Sequence, residues 1–386
     1  MGDNITVINW AGLNYGDNEI FKICYRLFFE KFYENIYLIA DNPYEFKKLD
    51  KVKPISRVFG IKKKWIKVFK AIISSEKIFV GGGDILNGEI GTSMILILAC
   101  ILKKEFIIAG VGVVPIKSKR HFKLIIKKLL LSYLLNRSKL IIVRDSNSHK
   151  LIKLYTKNNN IYQYPDLCFL YEFIMNYNNI ENINIPGIDF DKNKKYFAVN
   201  VIPQSEMYNN YWGEKDYQFL SIILDKLIEQ GFIPIFINGV CKFDLSKVNY
   251  NILSDDEIAK LVICKMKYKD KCIVLNRTFN FNQLSFILKH CDFAILMRLH
   301  FVITSIINRV PFLALDYAPK LYNILKDMNL LKYSIKWPED KNKLLMKLFY
   351  IYENKEKVRI ELDTEMNNSV KMLLKLYNLI EKNLKK

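Results

Sequence analysis

The sequence predicts an α/β protein built from two doubly wound domains. Three observations carry the prediction. Short runs of Ile, Val, Leu and Phe end in Gly, Asp or Arg. Helical patterns separate these runs. An Asn-rich interruption near the middle of the 386 residues is followed by a second series of the same kind. Apolar runs of four to five residues between helices mark parallel strands buried on both faces, and the length suits two domains, each with its own core.

In the first series, Ile5 to Asn9 reads as a strand and Asn18 to Lys31 as a helix. Ile36 to Ala40, Lys77 to Val80, Phe106 to Ala109 and Leu140 to Val143 read as further buried strands. Residues 173–195 contain Pro186 and Gly187 among many Asn and read as a linker. The alternation restarts with the strand Tyr196 to Val201, the helix Tyr217 to Gln230 stopped by Gly231, and the strand Ile233 to Ile237. The helix Asn282 to His290, the strand Phe293 to Leu296, the helix Phe301 to Asn308 and the strand Phe312 to Leu315 follow. Residues 338–386 read as helices of mixed charge. The expected division is a first domain over 1–172, a second over 196–337 and a helical tail. The expected architecture is two Rossmann-like domains facing each other across a cleft (GT-B-like).

Composition narrows the function. The formal charge of +20 suggests nucleic acid at first sight. Yet fifty of the 59 basic residues are Lys, in a chain also rich in Ile, Asn, Tyr and Phe, residues that share AT-rich codons. The excess is also local. Lys51 to Lys70 and Lys117 to Lys139 each hold eight basic residues and no acidic one, and the other 343 residues net only +4. Such patches suit anionic surfaces in general. Seven scattered cysteines without a CxxC, and four histidines without HExxH, argue against a zinc site or a disulfide framework. Asp3 and Asn4 stand where a signal peptide would be apolar, and the longest apolar runs are too short to span a bilayer. The expectation is a cytoplasmic protein.

Ligands of open parallel sheets bind beyond the carboxyl ends of the strands. Those ends carry Asn14-Tyr15-Gly16-Asp17-Asn18, Gly81-Gly82-Gly83-Asp84, Gly110-Val111-Gly112, Arg144-Asp145 and Met297-Arg298-Leu299-His300. Glycine lets a backbone approach an anion whose charge the next helix N-terminus favours. Gly81 to Gly83 equally suits a plain tight turn. Gly110-Val111-Gly112 lacks a third glycine, which disfavours a dinucleotide. Two of nine Arg, 144 and 298, fall directly after buried strands. A guanidinium grips carboxylate or phosphate with two parallel hydrogen bonds, and Lys does not. Arg144-Asp145 also suits an ion pair, with Asp145 as a helix N-cap. His300 is the one histidine at such a strand end, where a structural role is the alternative.

These motifs, in this order and spacing, resemble the polysaccharide pyruvyl transferases from Asn14 to Lys320. The match runs through Arg298-Leu299-His300 to Pro311, Tyr317 and Lys320. Pro165-Asp166-Leu167 stands where that family usually has Asp-Pro, and Phe301 where it usually has a small residue. The resemblance implies a GT-B-like fold and phosphoenolpyruvate as donor, with no metal and no nucleotide cofactor. It implies a sugar acceptor in a cell-surface polysaccharide or its lipid-linked precursor, and a pyruvate ketal as product. Within that frame His300 and Arg298 are the catalytic candidates. Arg144, Arg298, Leu299, His300 and Lys320 hold the donor, while Asp17, Gly82, Gly83 and Asp84 face the acceptor. The competing readings are a glycosyltransferase using a nucleotide sugar and a glycan- or membrane-binding protein on a degenerate transferase fold. Residues 61–73 and 119–135 mix Lys with apolar residues at helical spacing. They read either as helices with a solvated Lys face or as a peripheral contact with the inner face of a membrane.

Overall fold

Each apolar run becomes a strand of a parallel sheet in the computed structural model. Residues 3–57, 62–83, 90–116, 121–174, 183–203, 213–241 and 253–385 are described. The chain divides into two units, one of residues 1–170 and 370–386, the other of residues 171–369. The tail is therefore shared: the 30-residue helix Lys355–Leu384 starts in the second unit and finishes in the first. Part of the expected linker, 175–182, lies outside the described residues.

The first unit holds β1 (Asn4–Ile8), β2 (Asn35–Ala40), β3 (Val52–Ser56), β4 (Lys77–Gly81), β5 (Glu105–Val111), β6 (Leu140–Val143) and β7 (Ile161–Gln163). Their order in the sheet is β3-β2-β1-β4-β5-β6-β7, all parallel. The order reverses between β1 and β4. The helix after β1 starts at Tyr15 and runs on through a π turn, Tyr25–Phe29. The helices Lys62–Ser74, Ile90–Ile101 and His121–Arg137 make the later crossovers. Val68, Ile72, Ile95, Leu135 and Ile152 pack with Ile8, Val80, Ile108 and Val143 in one apolar cluster. These helices therefore cover one face of the sheet. Burying a Leu or Ile of this kind contributes about 2 kcal/mol.

The end of the chain completes this unit. Tyr33 donates to the Leu384 carbonyl at 2.9 Å, and Lys77 Nζ donates to the carbonyls of Asn383 (2.8 Å) and Lys385 (2.6 Å). A cation on the exposed carbonyls of a helix C-terminus is favourable.

The second unit holds β8 (Lys195–Asn200), β9 (Phe232–Phe236), β10 (Ile273–Val274), β11 (Phe293–Leu296), β12 (Phe312–Asp316) and β13 (Ser334–Lys336). The order is β10-β9-β8-β11-β12-β13, again all parallel. Here the reversal falls between β8 and β11. The helices Glu214–Glu229, Phe281–Lys289 and Leu299–Ile307 lie within three residues of their expected ends. The strands absent from the sequence reading are β3, β7, β10 and β13, the four edges of the two sheets.

Gly110, at a register shift near the end of β5, shows how tightly the strand ends are packed. Its φ is +68°, and a Cβ there would lie 2.5 Å from Leu167 Cγ. Gly110→Ala combines left-handed strain with overpacking. It is expected to lower stability by roughly 3 kcal/mol, read as a shift of the urea midpoint at unchanged slope.

Candidate active site

Crevices for ligands form where strand order reverses, beyond the carboxyl ends of the strands. Each unit has one such reversal, and the predicted motifs sit on both.

In the first unit the reversal separates β1 from β4. The chain leaves β1 at buried Asn9 and turns at Gly12 (φ +105°), where a Cβ would collide with the Asn42 backbone. The Gly12 N–H donates to Asn18 Oδ1 at 2.5 Å. Asp17 lies buried in the first turn of its helix and accepts from Asn14 Nδ2 at 3.0 Å. Gly82 and Gly83, both at positive φ, face these residues. A Cβ on Gly82 would come within 3.2 Å of Asn9 Nδ2, and one on Gly83 within 3.1 Å of Asp17 Oδ1. The structure thus brings Asp17, Gly82 and Gly83 together, whereas Asp84 lies outside the described residues.

The neighbouring strand ends join this cluster through the backbone. Gly112 N–H donates to the Gly83 carbonyl at 2.9 Å, and Val113 N–H to Ser148 Oγ at 2.9 Å. Ser148 is fixed by Asp145, which caps its helix by accepting from Ser148 N (2.8 Å) and Oγ (2.7 Å). Asp145 therefore serves as the N-cap that its residue type suggests. The ion-pair partner of Arg144 is Asp166, at 3.7 Å, with both side chains fully buried. Asp166 also accepts from Cys168 N at 2.9 Å.

In the second unit the reversal separates β8 from β11, and one ion pair spans it. Arg298 Nε and Nη2 donate to the two oxygens of Asp255 at 2.5 Å each. Asp255 also accepts from Gly239 N (2.8 Å) and Asn200 Nδ2 (3.3 Å). Asn200 in turn accepts from Arg298 N at 2.9 Å. Gly239 is required by approach alone, since a Cβ there would lie 2.7 Å from Arg298 Nε. The Asp255 side chain is wholly buried, while that of Arg298 keeps 18 % of its surface in solvent. Nε and Nη2 form the edge that meets Asp255.

Arg298 precedes the helix Leu299–Ile307, where Leu299 and Phe301 turn into the core and His300 lies in the first turn, 8 % exposed. Lys320 is half-buried at the start of the helix Pro319–Asp327, after β12. Beside it, beyond β12 and β13, a cavity of about 680 Å³ is lined by Asp316, Tyr317, Tyr322, Lys336 and Trp337. Burial pushes the Asp316 carboxyl up from 3.8 to about 6, against the pull of the Ala318 and Tyr322 backbone N–H groups and of Lys336.

Asn200, Asp255, Asp166 and Asp316 are the site residues that sequence reasoning passed over. Asp255 lies in Ser254-Asp255-Asp256-Glu257, which is indistinguishable in sequence from an ordinary helix start with a capping box. Asp166 had a signal, as the acid of the shifted Pro165-Asp166 pair.

Two parallel-sheet units, each with a polar cluster at its strand-order reversal, define an α/β fold of the GT-B class. Solved structures agree on the fold. A putative UDP-N-acetylglucosamine 2-epimerase from Listeria monocytogenes matches with a TM-score of 0.58 at 9% identity, over 94% of this chain and 91% of that one. The UDP-GlcNAc 2-epimerase from Methanocaldococcus jannaschii matches at 0.56 and 14% identity, over 91% and 92%. An α,α-trehalose 6-phosphate synthase from Burkholderia multivorans matches at 0.55 and 8% identity, over 100% and 96%. No curated protein matches the sequence. The family model for polysaccharide pyruvyl transferases matches residues 14–319. The chain belongs to that family.

Two predictions follow from the geometry of the second unit. Asp255→Asn removes the charge that holds Arg298 and leaves a partly buried cation, which is expected to cost about 3 kcal/mol in urea unfolding. The Asp316 carboxyl is a separate case. Its native form still holds a proton that the unfolded chain has released, so its contribution to stability falls as pH rises from about 4 to about 6. Asp316→Asn is expected to flatten that part of the pH profile and to raise stability at neutral pH by on the order of 2 kcal/mol. Denaturation midpoints across this pH range check both signs.

Proposed function

We propose that the protein transfers the pyruvyl group of phosphoenolpyruvate to two hydroxyls of one sugar, in a cell-surface polysaccharide or its lipid-linked precursor. The product is a pyruvate ketal, and inorganic phosphate is released. The observation that carries this reading is the family match through Arg298-Leu299-His300, with Arg298 braced by Asp255 at the strand-order reversal and its side chain partly open to solvent.

In this reading Arg298, His300 and Lys320 take the donor. Phosphoenolpyruvate carries a carboxylate and a phosphate, and a guanidinium pairs with either through parallel hydrogen bonds. A proton goes to the methylene carbon, which becomes the methyl group, and positive charge develops at the central carbon. One sugar hydroxyl adds there and gives up its proton. The bond from that carbon to the phosphate oxygen then breaks and phosphate leaves with the electron pair; the second hydroxyl closes the ring, its proton passing to the departing phosphate. His300 gives and recovers the proton, since imidazole does both near neutral pH. Arg298 stabilises the departing phosphate. Arg144, paired with Asp166 in the first unit, is the other arginine assigned to the donor's anionic groups. Asp17, Gly82, Gly83 and Asp84 face the acceptor. The reaction as written needs no metal and no organic cofactor.

The test is phosphate release from phosphoenolpyruvate with a panel of acceptor glycosides, with mass detection of the pyruvyl group on the sugar. His300→Ala and Arg298→Lys are each expected to lose at least about 100-fold in turnover. Near-wild-type rates in both, with the fold intact, remove the assignment. Nucleotide release from a nucleotide sugar, with none of phosphate from phosphoenolpyruvate, establishes glycosyl transfer instead.

A further inference from the structure

Three helices on one face of the first sheet, Lys62–Ser74, Ile90–Ile101 and His121–Arg137, turn apolar side chains away from the core as well as toward it. Their inner sides fill the cluster around Ile72, Ile95 and Leu135. Their outer sides ought to be polar. On the third helix, Phe122 is 75% exposed and Leu129 66%, with Ile126 and Tyr133 exposed beside them. Positions 122, 126, 129 and 133 recur at helical spacing and form one stripe. On the first helix Ile66, Phe69 and Ile73 form a second exposed stripe, and they edge an apolar groove of about 730 Å³ with Trp65 and Leu98. The middle helix, which neighbours both, exposes Met94 and Ile101. Monomeric soluble proteins seldom leave so much contiguous apolar surface to water.

The charge on the same three helices is one-sided. Together they carry nine basic residues and no acidic one. Lys67, Lys70 and Lys128 are exposed among the apolar stripes. Two copies of this face would repel one another, so self-association is a poor match. A nucleic acid would satisfy the lysines but not Phe122, Ile126 and Leu129. A bilayer with anionic headgroups satisfies both: the lysines meet phosphates while the apolar stripes enter the acyl boundary. We propose that this three-helix face docks the protein on the surface of an anionic membrane.

The experiment uses the full chain with vesicles of phosphatidylcholine alone and of phosphatidylcholine mixed with phosphatidylglycerol. Flotation is expected to recover the protein with the mixed vesicles and not with the neutral ones, less strongly at high salt. Phe122→Ser combined with Leu129→Ser is expected to bind the mixed vesicles about tenfold more weakly or worse. Both side chains are mostly in water, so the thermal midpoint stays at the wild-type value. Lys67→Glu combined with Lys128→Glu is expected to abolish the preference for anionic lipid. The proposal is overturned if wild type floats with neither vesicle, or if the apolar variant floats as wild type does. It is also overturned if wild type is a dimer that the apolar variant dissolves, or if it prefers duplex DNA to the mixed vesicles. None of these readouts depends on turnover, so they stand apart from the assignment of the reaction.

Discussion

The second unit is organised around one buried charge. Asp255 has no solvent to share its negative charge, and a bare carboxylate in such a place would cost several kcal/mol. The fold meets that cost with both arms of the Arg298 fork, the Gly239 N–H and the Asn200 amide. A helix N-terminus adds its own partial positive charge, since Asp255 opens the helix Asp255–Ile263. Each donor comes from a different segment: the end of β8, the loop after β9 and the end of β11. Satisfying one anion therefore fixes the relative positions of three strand ends. The guanidinium of Arg298 is oriented as a by-product of that arrangement.

The first unit solves the same problem with backbone rather than charge. Gly82 and Gly83 come within contact range of Asn9 and Asp17 because neither carries a Cβ. Gly112 then bonds the Gly83 carbonyl and passes the constraint toward Arg144 and Asp145. A glycine-built wall approaches a ligand through N–H groups and tolerates varied shapes. An arginine-built one selects for anions.

Sequence reading succeeded wherever burial on both faces writes a continuous apolar run. The nine interior strands, β1, β2, β4, β5 and β6 in the first sheet and β8, β9, β11 and β12 in the second, each have that signature, and Leu140–Val143 and Phe293–Leu296 matched residue for residue. It failed at the edges for the same reason. An edge strand is open on one side, so β3 tolerates Pro54 and Lys53, β10 shrinks to two residues, and β13 reads Ser-Ile-Lys. At the site, Arg298 was legible as a rare Arg after a buried strand. Its partner was not, because Asp255 lies 43 positions away and looks like any acid at a helix start. Long-range pairing leaves no local trace.

The last helix has a consequence for how the protein is made. The first unit is not finished by residue 170; it also needs residues 370–386, whose final carbonyls rest on Tyr33 and Lys77. During synthesis the whole second unit leaves the ribosome before that piece exists. The opening half of the chain must therefore wait, with the ground for this helix uncovered, until residues 370–386 emerge. The order of translation and the order of completion run in opposite directions.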